Sequence, residues 1–294
     1  MSNKKVSVFG GSGFMGSHLC DMLTDQGYNV TIFDKKKSEF LKKNQKMIIG
    51  NILDVDKVRN AIKGSKFVYN FAGISDIEYS NNNLIETVNQ NILSNSILLE
   101  ESLNQKVNRF IFASSLYVNS LSGGNYRISK QACEEFIENF YINYGLNYSI
   151  LRYGSLYGPR SDERNGIFKF IKSAINNKKM IFNGKETSLR EFIHVHDAAL
   201  LSTQILENKF KNKKITITGQ TSLTIKELLN LIKEILKDSK IKIVFNTKNH
   251  SSHYEVTPYT YRSDYSKKMY PKLSIDLGEG IVKMIDEVKS KSSK

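Results

Sequence analysis

Little in this chain is available for covalent bracing or for membrane insertion. Only two cysteines occur in 294 residues, Cys20 and Cys133, each inside a helical pattern and far apart in sequence. They read as reduced cytosolic thiols, which excludes a disulfide framework and a cysteine metal site. No apolar run approaches the ~20 residues a membrane helix needs. MSNKK leads straight into the apolar VSVFG without a leader, so a cytoplasmic protein with no membrane partner is expected. Acidic residues are scarce: 29 Asp and Glu face 43 Lys and Arg, a formal net charge of +14. The surplus lysines are scattered, no Arg-rich patch interleaved with aromatics stands out, and nucleic acid is not an expected partner. Such a field suits a polyanionic small substrate instead. Internal repeats and low-complexity linkers are missing too.

What the chain does have is alternation. From residue 5 to about 152 the short apolar runs VSVFG, NVTIFD, KMIIG, KFVYNFAG, RFIFASS and NYSILRYG alternate with helical segments at 14–26, 55–63, 83–105 and 127–144. Short, fully apolar strands separated by helices predict a parallel sheet covered on both faces. The later segments are less regular and read as a smaller α/β lobe interleaved with the first. The expected boundaries are 1–160 for a dinucleotide-binding domain, 161–286 mainly for a substrate lobe, and 287–294 for a disordered tail.

After the first strand comes Gly10-Gly11-Ser12-Gly13-Phe14-Met15-Gly16, opening a helix. Glycines let a backbone turn tightly and approach a pyrophosphate, and the helix N-terminus supplies N–H donors to it. The next strand ends in Asp34, 24 residues beyond Gly10, where a carboxylate takes both hydroxyls of an adenosine ribose and repels a 2′-phosphate. NAD is therefore expected over NADP, although Lys35, Lys36 and Lys37 follow directly. A phosphate loop for another nucleotide is the alternative. The fold class expected is a Rossmann-type doubly wound parallel sheet with a smaller C-terminal α/β substrate lobe.

Farther on stand Ser115 and the pair Tyr126 and Lys130. Y-x-x-x-K puts both side chains on one helix face, but a chain with 15 Tyr can hold such a pair by chance. For a phenol to act as a base near pH 7, its pKa must fall by about three units, roughly 4 kcal/mol. A neighbouring ammonium and a nicotinium charge both act in that direction.

With the glycine loop, Asp34, Ser115, Tyr126 and Lys130 in this order, the chain resembles the extended short-chain dehydrogenase/reductase family. Within it, the likeness is to the NAD-dependent nucleotide-sugar epimerases and dehydratases, and it runs from VFGGSGFMGSHL to DLGEGI. NILD at 51–54 stands where the family has G-D-I-x-D on the adenine, which assigns Asn51 and Ile52 to the cofactor. FAG at 71–73 matches the small-residue segment packed on the cofactor, assigning Phe71, Ala72 and Gly73. NILSNSILLEE at 91–101 is similar to the N-x-x-G-T-x-N-L-L-E-A helix and adds Asn91. LRYGSLYGPR at 151–160 resembles L-R-x-x-N-V-Y-G-P, and REFIHVHDAA at 190–199 resembles R-D-F-I-x-V-x-D-x-A.

The resemblance implies roles. Tyr126 is the acid/base, Lys130 also holds the nicotinamide ribose, and Ser115 binds the sugar hydroxyl that loses its hydride. Tyr153 lies at the nicotinamide edge and Ser155 at the substrate. Arg190 takes the substrate diphosphate, its alternative being a surface ion pair with Glu186 or Glu191. Asn165 touches the nucleotide phosphates, and Arg262 is either a second phosphate ligand or a solvated surface residue. The helices matching 83–105 and 127–144 form a dimeric four-helix bundle in the family, so a homodimer is expected. His194 and His196 alternate on a strand and share a face, but no Cys or carboxylate set joins them and no metal is expected. His18 reads as a packing or cofactor-adjacent residue.

One departure concerns the pocket. Only 11 positions separate Ser115 from Tyr126, and NSLSGGN replaces the family's Pro-containing loop, shortening one wall of the substrate cleft. Gly123 and Gly124 predict a tight turn that delivers Tyr126 to its helix. The slots where sugar 4,6-dehydratases carry acidic groups hold Leu116 and Tyr117, and the cysteine of GDP-fucose synthase-type enzymes is Leu116. What remains is hydride transfer by Ser115, Tyr126 and Lys130, most often at C4 of an NDP-hexose or GDP-heptose. A likeness to the GDP-heptose 4-dehydrogenase type of bacterial capsule biosynthesis tilts the expectation to a net dehydrogenase yielding a 4-keto sugar. A 4-epimerase with recycled NAD shares every catalytic residue. A non-catalytic NAD-binding regulator would be expected to lose Tyr126 or Lys130, and both are present.

Overall fold

The computed structural model describes residues 4–246, 254–258, 266–269, 271 and 274–292. Its first half runs β1 (Lys5–Phe9), α1 (Phe14–Asp25), β2 (Asn29–Asp34), β3 (Lys46–Ile49), α2 (Val55–Ile62), β4 (Phe67–Asn70), α3 (Ile77–Asn82), α4 (Leu84–Thr87), α5 (Ser94–Asn104), β5 (Arg109–Ser115), α6 (Gly124–Tyr144) and β6 (Tyr148–Tyr153). The second half adds β7 (Ser155–Tyr157), α7 (Gly166–Asn177), β8 (Lys179–Asn183), β9 (Leu189–His194), α8 (Val195–Gln204), β10 (Lys213–Ile217), β11 (Ser222–Thr224), α9 (Ile225–Leu236), β12 (Lys242–Asn246), β13 (Ser266–Met269) and α10 (Leu277–Ser292).

Eight strands form the central sheet in the order β13-β10-β6-β5-β4-β1-β2-β3, and every pairing in it is parallel. The order reverses direction between β1 and β4, the crevice where doubly wound sheets bind their ligands. The period-2 pleat explains why these strands are apolar throughout. On β5, Ile111 and Ala113 join one core with Leu19 and Leu23 of α1 and Leu201 of α8. Phe110 and Phe112 enter the opposite core with Val58 of α2, Leu98 of α5 and Ile137 of α6. Each fully buried Leu or Ile contributes roughly 1.5–3 kcal/mol. The two cysteines lie in these opposite cores, Cys20 in one and Cys133 in the other, as buried free thiols.

The smaller lobe gathers α7, α9 and α10 around a third core. Helix α9 shows why it forms: Thr224 and Glu227 make a reciprocal capping box, and Ile225, Leu228, Leu229 and Ile232 line its buried face.

The expected interleaving takes the form of α8 packing on α1 and of β10 and β13 joining the central sheet. Several expectations need correction. Helix α10 continues to Ser292, so a disordered tail does not begin at 287; its Ile281, Met284, Ile285 and Val288 are anchored in the third core. The single helix expected over 83–105 is broken by a π-helical turn at Val88–Leu93. His194 and His196 do not share a strand: β9 ends at His194, whose Nδ1 accepts the His196 N–H as the cap of α8. Arg262 lies outside the described residues.

Candidate active site

The glycine turn is built by close approach. Gly10 has φ +79°, and a Cβ there would sit 2.6 Å from the carbonyl carbon of Phe71 and the nitrogen of Ala72. The two segments assigned to the cofactor thus meet backbone to backbone at the switch point. Gly13 caps α1 with no side chain bonded to the helix end, and the first turn, with Phe14, Met15 and Gly16, carries no acidic residue. Its amides and positive dipole end suit a pyrophosphate. Asp34 is aimed at the same loop: its carboxylate accepts from Ser12 N at 3.0 Å and from Lys36 N at 3.2 Å. Asn51 is exposed and Ile52 buried, and Asn51 Oδ1 turns the chain by accepting from Leu53 N at 3.0 Å. This cradle fits a dinucleotide.

Asn91 braces the site. From the π-helical turn its Oδ1 accepts from Ile74 N at 2.6 Å, while Nδ2 donates to Ile74 O at 3.0 Å and Ser129 Oγ at 2.8 Å. It ties the segment after Gly73 to the middle of α6, so its amide is engaged within the protein. A π bulge is the usual mark of a helix distorted for a site.

Ser115 ends β5, and Gly123, in the left-handed region at φ 100°, caps α6 so that Tyr126 falls in its first turn. The tight turn expected at 123–124 is there. Tyr126 and Ser115 are hydrogen-bonded through their side chains. Lys130 lies one turn along, its Nζ 6.0 Å from the Tyr126 ring centre, donating to Ala113 O at 2.8 Å. All three are buried. Burial dominates the titration: it lowers Lys130 and pushes Tyr126 up to about 12, against the pull of the Ser115 bond. The lowering expected from a neighbouring ammonium does not act on Tyr126 in the protein alone, where burial favours the phenol.

Behind the trio lies a polar network without a sequence forecast. Glu134, one turn beyond Lys130, accepts from Arg152 Nη2 at 2.6 Å, Arg152 Nε at 3.1 Å and Ser114 Oγ at 2.5 Å. Arg152 Nη1 donates to Asn119 Oδ1 at 3.2 Å. A charged residue inside the otherwise apolar run NYSILRYG was the available signal, since a buried arginine needs a partner.

Arg190, on β9, is buried and stacks on the Tyr254 ring at 4.3 Å, with Nη1 donating to Leu189 O and Glu255 O at 2.9 and 3.2 Å. Among the described residues no carboxylate forms an ion pair with it; Glu186 instead pairs with Lys226. Tyr254 was missed, for it stands in no motif. Ser155 hydrogen-bonds to Tyr254. Two other assigned groups are engaged inside the protein: Asn165 caps α7 and donates to Leu156 O at 2.8 Å, and the Tyr153 hydroxyl pairs with Ser202 Oγ at 2.6 Å. Lys35 is exposed beside Asp34. Among the described residues no group of three or more His, Cys, Asp or Glu could hold a metal, and no helix is long and apolar enough to cross a membrane.

Comparison with known proteins agrees with this frame. Residues 6–218 match the NAD dependent epimerase/dehydratase family, and the chain belongs to it as an NAD-dependent enzyme. A Methanocaldococcus jannaschii protein with a provisional UDP-glucose 4-epimerase name is 26% identical, over 97% of this chain and 98% of its own. The UDP-glucose 4-epimerase of Thermotoga maritima, solved with UDP-glucose, superposes with a TM-score of 0.85 at 24% identity, over 99% of this chain and 100% of that one. The UDP-N-acetylglucosamine 4-epimerase of Methanobrevibacter ruminantium, in complex with UDP-N-acetylmuramic acid, gives 0.79 at 25% identity over 99% and 100%.

Proposed function

We propose that this chain oxidises the C4 hydroxyl of a nucleotide sugar and returns the hydride to the opposite face, as a nucleotide-sugar 4-epimerase. The observation that carries the reading is the buried Ser115–Tyr126–Lys130 trio beside a dinucleotide cradle, with no carboxylate at 116 or 117. Leu116 and Tyr117 supply no acid for the elimination step of a dehydratase. The 4-epimerase names of the Methanocaldococcus jannaschii and Methanobrevibacter ruminantium proteins support epimerisation over the net dehydrogenase expected from the GDP-heptose likeness.

In this reading Gly10, Gly13, Phe14, Met15 and Gly16 hold the pyrophosphate, Asp34 the adenosine ribose, Asn51 and Ile52 the adenine, and Phe71, Ala72 and Gly73 the inner face. NAD, when bound, supplies hydride acceptance and return, and its oxidised ring adds a positive charge. Tyr126 takes the hydroxyl proton, for which its pKa must fall from about 12; a cationic neighbour acts in that direction. Ser115 orients the same hydroxyl, and Lys130 supports the nicotinamide ribose. Arg190, a buried guanidinium with two donors directed to main-chain carbonyls, is the diphosphate ligand; planar forked donors suit that contact.

The deciding experiment mixes purified protein, NAD and a panel of UDP-, GDP- and dTDP-sugars, heptoses included, and follows nicotinamide absorbance with the sugar product. A new isomer without lasting NADH supports epimerisation. NADH accumulating with a keto-sugar would replace it with the dehydrogenase reading, and inertness toward the whole panel would sink both.

The proposal extends to a homodimer. Leu84, Ile85 and Val88 beside Ile128, Phe136 and Ile142 of α6 are exposed apolar side chains on neighbouring helices, Ile85 at 73% and Ile142 at 76%. Paired across a twofold axis they would form a four-helix bundle. A product of this kind is a donor for glycosyl transfer, and we place the enzyme in cytoplasmic assembly of a surface polysaccharide.

A further inference from the structure

We propose that Tyr117 determines sugar specificity: its ring, continued by Tyr254, is the wall on which the sugar packs between Tyr126 and Arg190. The inference rests on the reading above of Tyr126 as the acid/base and Arg190 as the diphosphate ligand.

The geometry is a continuous run of ring contacts, edge-on at one end and tilted in the middle. Tyr126 meets Tyr117 edge to face at 6.1 Å, Tyr117 meets Tyr254 at 4.6 Å, and Tyr254 carries the Arg190 guanidinium at 4.3 Å. A sugar joining the reactive hydroxyl to its diphosphate must span those two ends, and the two tyrosines connect them. Aromatic faces offer apolar area with defined geometry, which suits the C–H face of a pyranose.

The ring also lies against the turn before α6. A Cβ on Gly123 would lie 2.7 Å from Tyr117 Cδ1, so the turn before α6 lacks a side chain where the ring lies. The shortened wall of the cleft is filled by an aromatic ring. The segment is held firmly: Ser115 Oγ accepts from Tyr117 N at 3.3 Å, Gln131 Nε2 donates to Val118 O at 2.8 Å, and Arg152 grips Asn119. Leu116 is buried in the protein, while Tyr117 stays partly exposed. Rigid contacts of this kind discriminate because little ordering remains to be done on binding.

The test uses the full chain loaded with NAD, UDP-glucose and GDP-mannose as probes, and UDP and GDP as their sugar-free counterparts, with dissociation constants from titration calorimetry. Tyr117→Ala is expected to weaken the bound nucleotide sugar by about tenfold or more while leaving the matching nucleoside diphosphate and NAD unchanged. Tyr117→Phe keeps the ring and should retain wild-type discrimination. Equal weakening of sugar and sugar-free nucleotide in Tyr117→Ala, or a Tyr117→Phe loss as large as the alanine's, overturns the wall. Arg190→Ala serves as the separate control: unchanged UDP or GDP affinity there refutes the diphosphate assignment itself. Wild-type protein that binds neither nucleotide sugar refutes the functional reading and this inference with it.

Discussion

Tyr126 sits in a site that favours its protonated form. Burial raises it to about 12 and the Ser115 bond only partly opposes this, so its basicity has to be conferred by what binds beside it. Tyr126→Phe is expected to lower turnover by about 10²–10⁴, the range of a lost general acid/base, with melting temperature and NAD affinity kept; near-wild-type turnover would remove Tyr126 from the chemistry. Asp34 gives a second residue-level outcome. Asp34→Ala should weaken NAD more than NADP, and equal losses measured by cofactor titration would refute its ribose role. These residues could be singled out in the sequence because family motifs surround them; the spacing of Tyr126 and Lys130 alone could have arisen by chance. Tyr117 and Tyr254 could not be, because what sets them apart is a tilted ring contact between segments more than a hundred positions apart, which no local pattern encodes.

Among the elements, α6 carries the most. One face presents Tyr126 and Lys130, and the next turn presents Glu134, whose carboxylate meets Arg152 with both side chains under 5% exposed. Removing one partner of a buried pair leaves an uncompensated charge. Glu134→Ala should cost about 3–5 kcal/mol in urea unfolding and lower turnover more than NAD binding; a change below about 1 kcal/mol, the scale of a surface pair, would show the pair to be incidental. The strands and α6 could be read in advance because their apolar periods match one buried environment. The interruption at Val88–Leu93 could not, since VNQNIL continues a helical pattern. Its widened turn is instead fixed by the Asn91 amide holding the backbone of Ile74.

For the whole molecule, two histidines set the response to acid. His18 Nε2 donates to Pro159 O at 3.0 Å, and His194 packs edge-on to Tyr157. Burial lowers both to about 4. Below the unfolded value near 6.5 the unfolded chain takes up protons that the folded chain refuses. Stability is therefore complete above pH 6.5 and declines as pH falls toward 4. Urea midpoints at pH 7, 5.5 and 4.5 should fall in that order, and His194→Gln should flatten the slope; a flat wild-type profile would show these rings protonated without cost. Sedimentation should give the mass of a dimer, and Ile142→Lys together with Ile85→Lys should yield monomer, an unchanged mass excluding that face.

The late return of the chain to its central sheet has a consequence for biosynthesis. Strand β6 finds its outer neighbour β10 about sixty residues downstream, and β10 finds β13 farther on still. Pairings of such sequence separation close slowly, so during translation the edge of β6 remains a bare ladder of amides and carbonyls while the smaller lobe is still emerging. A nascent chain stalled near residue 160 would therefore be a partner for chaperones or for its own neighbours on the polysome, and the enzyme's yield in the cell would depend on how fast the ribosome passes from there to Ile217.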